Sequence, residues 1–214
     1  DSITQRGYDA DQHGWVAMLS NWLTRRADVV NRGFSGYNSR MAVSMAADVI
    51  VSERPDFLVV FFGANDAVYP GNPQHVPEEE YVRNLESIVR TVRRWRPRLP
   101  VLLVTPPPIY EPKLLQWVKQ RGKPEIDRDN PTAMQYANAC KLLAKRLSLP
   151  VVDAWEALGG LSESRGEHLV DGLHLNLEGN EALFAAVSER IRDALPQFSP
   201  ENLVMHRPHW ALLG

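Results

Sequence analysis

Four short segments contain residue types that could together perform nucleophilic catalysis, and their key members are Ser2, Gly36, Asn65, Asp171 and His174. A serine hydroxyl needs an adjacent base to attack a carbonyl carbon at neutral pH, and histidine titrates in the useful range. Asp171 precedes His174 by three residues, a spacing that can place its carboxylate against Nδ1 and fix the tautomer of the imidazole. Side chains of this kind would hydrolyse an acyl bond.

Gly36 and Asn65 are suited to stabilise negative charge on a reacting carbonyl oxygen. Glycine has no Cβ, so its backbone N–H can approach a substrate closely. The side-chain amide of Asn65 is a neutral donor, which stabilises a developing oxyanion without neutralising the base. The two residues therefore complement a serine, histidine and aspartate set.

Each of these residues also has an ordinary structural explanation. A serine just before a helix is most often an N-cap, and Asp171 could cap a helix or shape a turn. Gly36 and Asn65 could each serve only the turn that follows a strand. Taken singly these explanations are the more common ones, and it is the combination of the residues that favours catalysis.

Apolar runs alternate with helical patterns along the chain, and the runs lie at residues 28–31, 57–62, 101–104 and 151–152. Continuously apolar strands are typical of a parallel sheet that is buried on both faces. Apolar residues at spacings of three and four predict helices over 78–95, over 133–147 and near the end. The alternation predicts one α/β domain in which helices cover both faces of an open, mainly parallel sheet.

In such a sheet, ligands bind beyond the carboxyl ends of the strands, which is where the candidate residues lie. Two connections, 68–77 and 106–131, are longer than usual and are expected to wall a pocket, with a short helix near 113–118. Tyr69, Tyr110 and Trp117 could contact a substrate there or serve as ordinary packing residues.

The four segments resemble, in order, the four sequence blocks of the SGNH (GDSL-type) hydrolase family. The resemblance is to its isoamyl acetate-hydrolysing esterase branch in particular, through the sequences NRGFSGYN (31–38), FFGAND (61–66) and DGLHL (171–175). It implies a flavodoxin-like three-layer α/β/α sandwich with about five strands. One domain over residues 1–214 is expected, with a core to about 195 and a C-terminal extension over 196–214. The family's first strand is expected to lie upstream of Asp1.

The resemblance also implies roles for the five residues. Ser2 would be the nucleophile, His174 its general base and Asp171 the group that orients the imidazole. The backbone N–H groups of Ser2 and Gly36 and the side-chain amide of Asn65 would form the oxyanion hole. The implied activity is a serine esterase that hydrolyses short-chain, acetyl-type carboxylic esters through an acyl-enzyme, without metal or organic cofactor. The alternatives are a thioesterase, lysophospholipase or carbohydrate deacetylase with the same residues, and a non-catalytic binding protein that retains the fold.

Three other features compete with this interpretation. Residues 33–37 (GFSGY) nearly match the GxSxG nucleophile elbow, which would make Ser35 the nucleophile, but Tyr37 stands where the second glycine belongs. Cys140 lies on the apolar stripe of its predicted helix and is expected to be buried and unreactive. His206 and His209 have no accompanying acidic cluster, so no metal site is expected.

Composition narrows the class of protein further. The 214 residues carry a formal net charge of -2, which provides no basic surface for nucleic acid. With one cysteine the chain cannot form an internal disulfide, and no apolar run reaches the length of a membrane span. The expected partner is a small-molecule ester, a homodimer is compatible with the resemblance, and a cytoplasmic location is expected.

Overall fold

Three parallel strands lie at the centre of the computed structural model, which describes residues 1–208 and 210–213. The strands are β1 (Leu58–Phe61), β2 (Val101–Val104) and β3 (Val151–Val152), in the spatial order β1-β2-β3. Val59 lies opposite Leu102, and β3 continues the same parallel register on the far side of β2. These strands coincide with three of the four apolar runs of the sequence.

Helices connect the strands and cover the sheet. The α-helices of the described residues are α1 (Ser2–Gln5), α2 (Trp15–Trp22), α3 (Ser39–Glu53), α4 (Glu78–Trp95), α5 (Glu111–Lys119), α6 (Asn130–Leu147), α7 (Ala154–Ala157) and α8 (Leu177–Ala194). Short 3-10 turns occur at Arg6–Tyr8, Glu163–His168, Pro196–Phe198 and Trp210–Leu212. The helix predicted near 113–118 is α5, which lies inside the second long connection.

Alternate residues of β2 separate the two halves of the core. Leu102 and Val104 pack in one apolar cluster with residues of α2 and α8. Val101 and Leu103 pack in a second cluster with residues of α3 and α4. Since side chains of a strand point alternately to its two faces, the sheet is buried on both sides. The predicted α/β class, with a parallel sheet between helix layers, is confirmed.

The sheet has three paired strands in the described chain, whereas about five were predicted. Residues 28–31 have no regular secondary structure and form no backbone ladder with β1. Side-chain hydrogen bonds hold this segment against the start of the chain instead: Tyr8 donates to the carbonyl of Val29, and Asn31 of the segment donates to the carbonyl of Thr4 at 2.6 Å. A groove lined by Arg32 and by residues of β1, α3 and α4 lies along β1. An apolar run becomes a strand only where a neighbouring backbone pairs with it.

The residues after α8 pack back onto the core. Phe198 stacks on Phe57 with ring centroids 5.2 Å apart, and the backbone N–H of His206 donates to Arg25 at 2.7 Å. The division into a core and a C-terminal extension stays a prediction. No helix of residues 1–208 or 210–213 is long and apolar enough to cross a membrane.

Candidate active site

Ser2 is the first residue of α1, and its hydroxyl is free for a partner outside the helix. The N-cap is the preceding residue, because Asp1 Oδ1 accepts a hydrogen bond from the backbone N–H of Ile3 at 2.9 Å. Ser2 is buried, and its Oγ lies 3.0 Å from Nε2 of His174. The N-cap explanation therefore applies to Asp1 rather than to Ser2.

Asp171 and His174 lie in one tight loop, residues 169–175, which we call the Asp–His loop. Asp171 Oδ2 lies 2.7 Å from His174 Nδ1, and its Oδ1 accepts from the backbone N–H groups of Leu173 and His174. The carboxylate thus shapes the turn with one oxygen and contacts the imidazole with the other. The structure brings Ser2, His174 and Asp171 into one continuous hydrogen-bonded chain.

The Asp–His loop is closed on itself and braced by α5. Leu169 and Leu175 form an isolated antiparallel bridge at its two ends. Lys113 Nζ donates to the carbonyl oxygen of Leu169 at 2.7 Å. Gly172 has a φ of +88°, and a Cβ there would lie 2.5 Å from the backbone N of Leu114. The loop therefore requires glycine at this position, both for its backbone conformation and for its close contact with α5.

The electrostatics of the loop favour an ionised Asp171. Burial alone would raise the pKa of this carboxyl, but hydrogen bonds from the His174 side chain and from two backbone N–H groups hold it at about 2. Asp171 therefore carries a negative charge beside Nδ1 of His174 at neutral pH. A charge in this position stabilises the imidazolium that forms when His174 accepts a proton.

Gly36 lies in a second loop, residues 33–38, which we call the glycine loop. Its φ is +82°, a left-handed conformation that favours glycine, whereas a Cβ there would meet only Gln74 Nε2 at 3.5 Å. Gln74 donates to the carbonyl of Gly36 at 2.7 Å, and Gln5 accepts from the backbone N–H of Ser35 at 2.7 Å. Gly36 is thus required by backbone conformation rather than by lack of space.

Asn65 lies in the turn that follows β1 and contacts the glycine loop. Its Nδ2 donates to the carbonyl of Tyr37 at 2.9 Å. The neighbouring Asp66 accepts from the backbone N–H of Ser39 at the start of α3, and burial raises the pKa of Asp66 to about 6. The turn therefore links β1, the glycine loop and α3.

A cleft beside His174 is lined by Ile3, Arg6, Asp9, Gln12, Val170, Leu175 and Asn180. The two long connections contribute no residue to this lining. Tyr110 instead packs against Gly166, and Tyr69 donates to Asp129 at 3.2 Å. These contacts agree with the packing alternative for the two tyrosines, and the cleft is formed by α1, the turn after it, the Asp–His loop and α8.

The competing residues do not join this site. Ser35 is exposed, and the contacts within the described chain give its side chain no histidine partner. Cys140 is fully buried, and burial raises the pKa of its thiol to about 12. Residues 1–208 and 210–213 contain no group of three or more potential metal ligands, and His209 lies outside them.

Two residues near the site were not predicted from sequence. Lys113 braces the Asp–His loop, and the buried Arg128 donates to the carbonyl of Ala64 at 2.7 Å. Both lie in the second long connection, whose length was the sole signal that it serves the site. No local pattern distinguishes these two cations from the other lysines and arginines of the chain.

Comparison with known proteins places the chain in a family. The model of the GDSL-like lipase/acylhydrolase family matches residues 1–182. The isoamyl acetate-hydrolyzing esterase 1 homolog of Bos taurus is 38% identical, with 100% of this chain and 90% of that protein covered. A GDSL esterase/lipase of Arabidopsis thaliana is 36% identical over 98% of this chain and 89% of its own length.

A solved structure shares the architecture. The lipase/acylhydrolase from Enterococcus faecalis superposes with a TM-score of 0.68 at 23% identity, covering 97% of this chain and 96% of that one. At that identity the likeness concerns the fold alone, whereas the family match and the curated relatives extend to the sequence. The predicted resemblance is confirmed, and the chain belongs to the GDSL-like lipase/acylhydrolase family of ester-hydrolysing enzymes.

Proposed function

We propose that the protein hydrolyses short-chain carboxylic esters through an acyl-enzyme intermediate formed on Ser2. The observation that carries this proposal is the chain of contacts from Ser2 Oγ to His174 Nε2 at 3.0 Å and from His174 Nδ1 to Asp171 Oδ2 at 2.7 Å. A hydroxyl within hydrogen-bond reach of an imidazole, itself oriented by a carboxylate, is the arrangement that activates a serine nucleophile.

The proposed reaction begins when Ser2 Oγ attacks the ester carbonyl and His174 Nε2 takes the hydroxyl proton. The tetrahedral intermediate collapses, and His174 gives its proton to the oxygen of the departing alcohol. Water then attacks the acyl-enzyme with His174 again as base, which releases the carboxylic acid and restores Ser2. Asp171 stays ionised throughout and stabilises the imidazolium.

Three donors are proposed to stabilise the negative charge on the carbonyl oxygen. They are the backbone N–H groups of Ser2 and Gly36 and the side-chain amide of Asn65. Ser2 N–H is at the first position of α1, where no intrahelical acceptor exists. Asn65 commits one N–H of its amide to the carbonyl of Tyr37, which leaves a second for the substrate.

The proposed substrates are acetyl esters of small alcohols. Support comes from relatives at 38% identity that carry the name isoamyl acetate-hydrolyzing esterase 1 homolog. The apolar lining that Ile3, Val170 and Leu175 provide to the cleft beside His174 suits a small hydrocarbon group. The homodimer, the lack of nucleic-acid binding and the cytoplasmic location stay predictions.

Covalent labelling tests the nucleophile. The protein is treated with a fluorophosphonate, its intact mass is measured and the adduct is located by peptide mapping. We expect one adduct on Ser2 that is lost in Ser2→Ala and retained in Ser35→Ala, a matched substitution in the exposed glycine loop. Folded protein without an adduct would support the non-catalytic binding protein, and an adduct on Ser35 would disprove the proposed nucleophile.

A substrate panel tests the acyl group. Rates are compared for acetyl to octanoyl p-nitrophenyl esters, for acyl-CoA thioesters and for acetylated sugars. We expect the highest kcat/KM with the acetyl ester. A preference for octanoyl chains, for the thioesters or for the sugars would instead favour a lysophospholipase, a thioesterase or a carbohydrate deacetylase.

A further inference from the structure

Arg128 is a buried cation at the edge of the site. It lies between α5 and α6, and its side chain is 8% exposed. One guanidinium nitrogen, Nη1, donates to the carbonyl oxygen of Ala64 at 2.7 Å and lies 3.5 Å from Oδ1 of Asn65. Asp127 accepts from Nε of the same guanidinium at 2.9 Å. The donation to Ala64 holds the guanidinium against the turn that carries Asn65, whereas Asp127 balances the charge of the buried cation at Nε and so lowers the cost of its burial.

The amide of Asn65 lies between two groups that select the same orientation. Its oxygen faces the guanidinium of Arg128, and its nitrogen donates to the carbonyl of Tyr37 at 2.9 Å. If the amide were rotated by half a turn, its N–H groups would face a cation and its oxygen would face a carbonyl oxygen. Both contacts would then be repulsive, so the amide has one stable orientation.

We propose that Arg128 is a positioning residue that holds the Asn65 amide with one N–H directed at the carbonyl oxygen of the substrate. The inference rests on the proposed function, in which Asn65 is an oxyanion donor. Arg128 does not contact the substrate in this proposal. It fixes the turn through Ala64 and polarises the Asn65 amide from its oxygen side, which strengthens the N–H as a donor.

A purely structural role for Arg128 would have a different signature. In that case Arg128 would contribute to stability through its ion pair with Asp127. Breaking the pair would then lower the free energy of unfolding without a specific effect on kcat. Asp127→Asn separates the two roles, since asparagine can still accept from Nε while the negative charge is lost. We expect Asp127→Asn to keep kcat within about twofold of wild type.

The test is a double-mutant cycle between Arg128→Lys and Asn65→Ala, measured by steady-state kinetics on an acetyl ester. Lysine keeps the positive charge, but it lacks the planar guanidinium that donates to the carbonyl of Ala64 while facing the amide of Asn65. We expect Arg128→Lys to lower kcat about tenfold with KM changed less than about twofold. In the Asn65→Ala background the same substitution should change kcat by less than about twofold, because the residue through which it acts is gone.

Each outcome of the cycle bears on the proposal. Equal losses of kcat from Arg128→Lys in both backgrounds would overturn it, even where Asn65→Ala alone lowers kcat strongly and so leaves the proposed function intact. A harmless Asn65→Ala would overturn both this inference and the proposed role of Asn65. Arg128→Gln, which keeps a donor for Ala64 without the charge, is the second variant if Arg128→Lys does not fold. The proposal requires that the effect of Arg128→Gln on kcat also disappears in the Asn65→Ala background.

Discussion

The Asp–His loop and the glycine loop each contribute candidate residues to the site, yet different chemistry holds them in place. The first is closed by its own antiparallel bridge and is tied to α5 by the ammonium of Lys113. The second has no such bridge within the described chain, and the neutral side-chain amides of Gln5, Asn65 and Gln74 hold it. Because a charged donor contributes more than a neutral amide, we expect the Asp–His loop to be the more firmly held of the two loops.

The largest expected contrast is in kcat. It is between His174 of the Asp–His loop and Asn65, which contacts the glycine loop. His174→Ala should lower kcat by about 10⁴- to 10⁶-fold, since the base of the proposed reaction is lost. Asn65→Ala should cost about 2.7–4 kcal/mol of transition-state stabilisation, because one of several oxyanion donors is lost. Steady-state kinetics on an acetyl ester measures both effects. Equal losses would break the comparison, and an Asn65→Ala rate within about threefold of wild type would refute its donor role.

A matched pair of glycine substitutions compares the packing of the two loops. Gly172 and Gly36 both have positive φ, but a Cβ would lie 2.5 Å from backbone at position 172 and 3.5 Å from a flexible amide at position 36. Gly36→Ala should therefore cost only the left-handed conformation, about 1–2 kcal/mol. Gly172→Ala should cost about 1–3 kcal/mol more because α5 must also move. Urea unfolding measures the free energies, and equal destabilisation would show that the loops are packed alike.

Substitution of Lys113 and of Gln74 compares directly the charged donor of the Asp–His loop with the neutral donor of the glycine loop. Lys113→Met should lower the free energy of unfolding by about 1.5–3 kcal/mol, because its charged donor serves the carbonyls of Gly166 and Leu169. Gln74→Met should cost about 0.5–1.5 kcal/mol, as expected for a neutral hydrogen bond. Lys119→Met, on the exposed side of α5, is the control and should stay within about 0.5 kcal/mol of wild type. A larger loss of unfolding free energy for Gln74→Met than for Lys113→Met would show that the glycine loop depends more strongly on its donor.

A pH dependence of stability is expected from the Asp171 carboxylate of the Asp–His loop. The pKa of Asp171 is lowered from 3.8 to about 2 in the folded protein, so its contribution is present above the unfolded value and is lost as pH falls through the folded one. Between about pH 4 and pH 2 wild type should lose about 2 kcal/mol more than Asp171→Asn, measured by urea unfolding. Parallel curves for the two proteins would contradict this expectation.

Activity should follow a different pH range from stability. The proposed base must be neutral to accept the serine proton, so kcat/KM should be higher at about pH 8 than at about pH 5. Asp171 stays ionised across that range because its pKa is about 2. A flat profile would argue against a histidine base.

The elements that were predicted well are those whose signals are local. The bounds of α4 match the prediction, since its apolar residues recur on one face, three glutamates begin it and Arg93 and Arg94 end it. The approach of Asp171 to the imidazole of His174 follows from a spacing of three residues in one turn. A motif within a few residues therefore predicted the contact between these two side chains.

The elements that were missed depend on contacts between distant parts of the chain. Residues 28–31 have the composition of a strand, but no neighbouring backbone pairs with them in the described structure. Lys113 contacts a carbonyl 56 residues away, and Arg128 contacts one 64 residues away. The residues next to such a cation in the sequence predict neither its partner nor its burial.

The closed shape of the Asp–His loop has a consequence for how the protein loses activity on heating. Asp171 and His174 lie in the same short loop, closed by the bridge between Leu169 and Leu175, so we expect thermal motion to move the two side chains together. Ser2 belongs to a four-residue helix on a different part of the chain, joined to that loop at the site by one 3.0 Å contact. In the proposed mechanism, we therefore expect heating to open the contact between Ser2 and His174 first, so that activity is lost while the rest of the molecule is still folded.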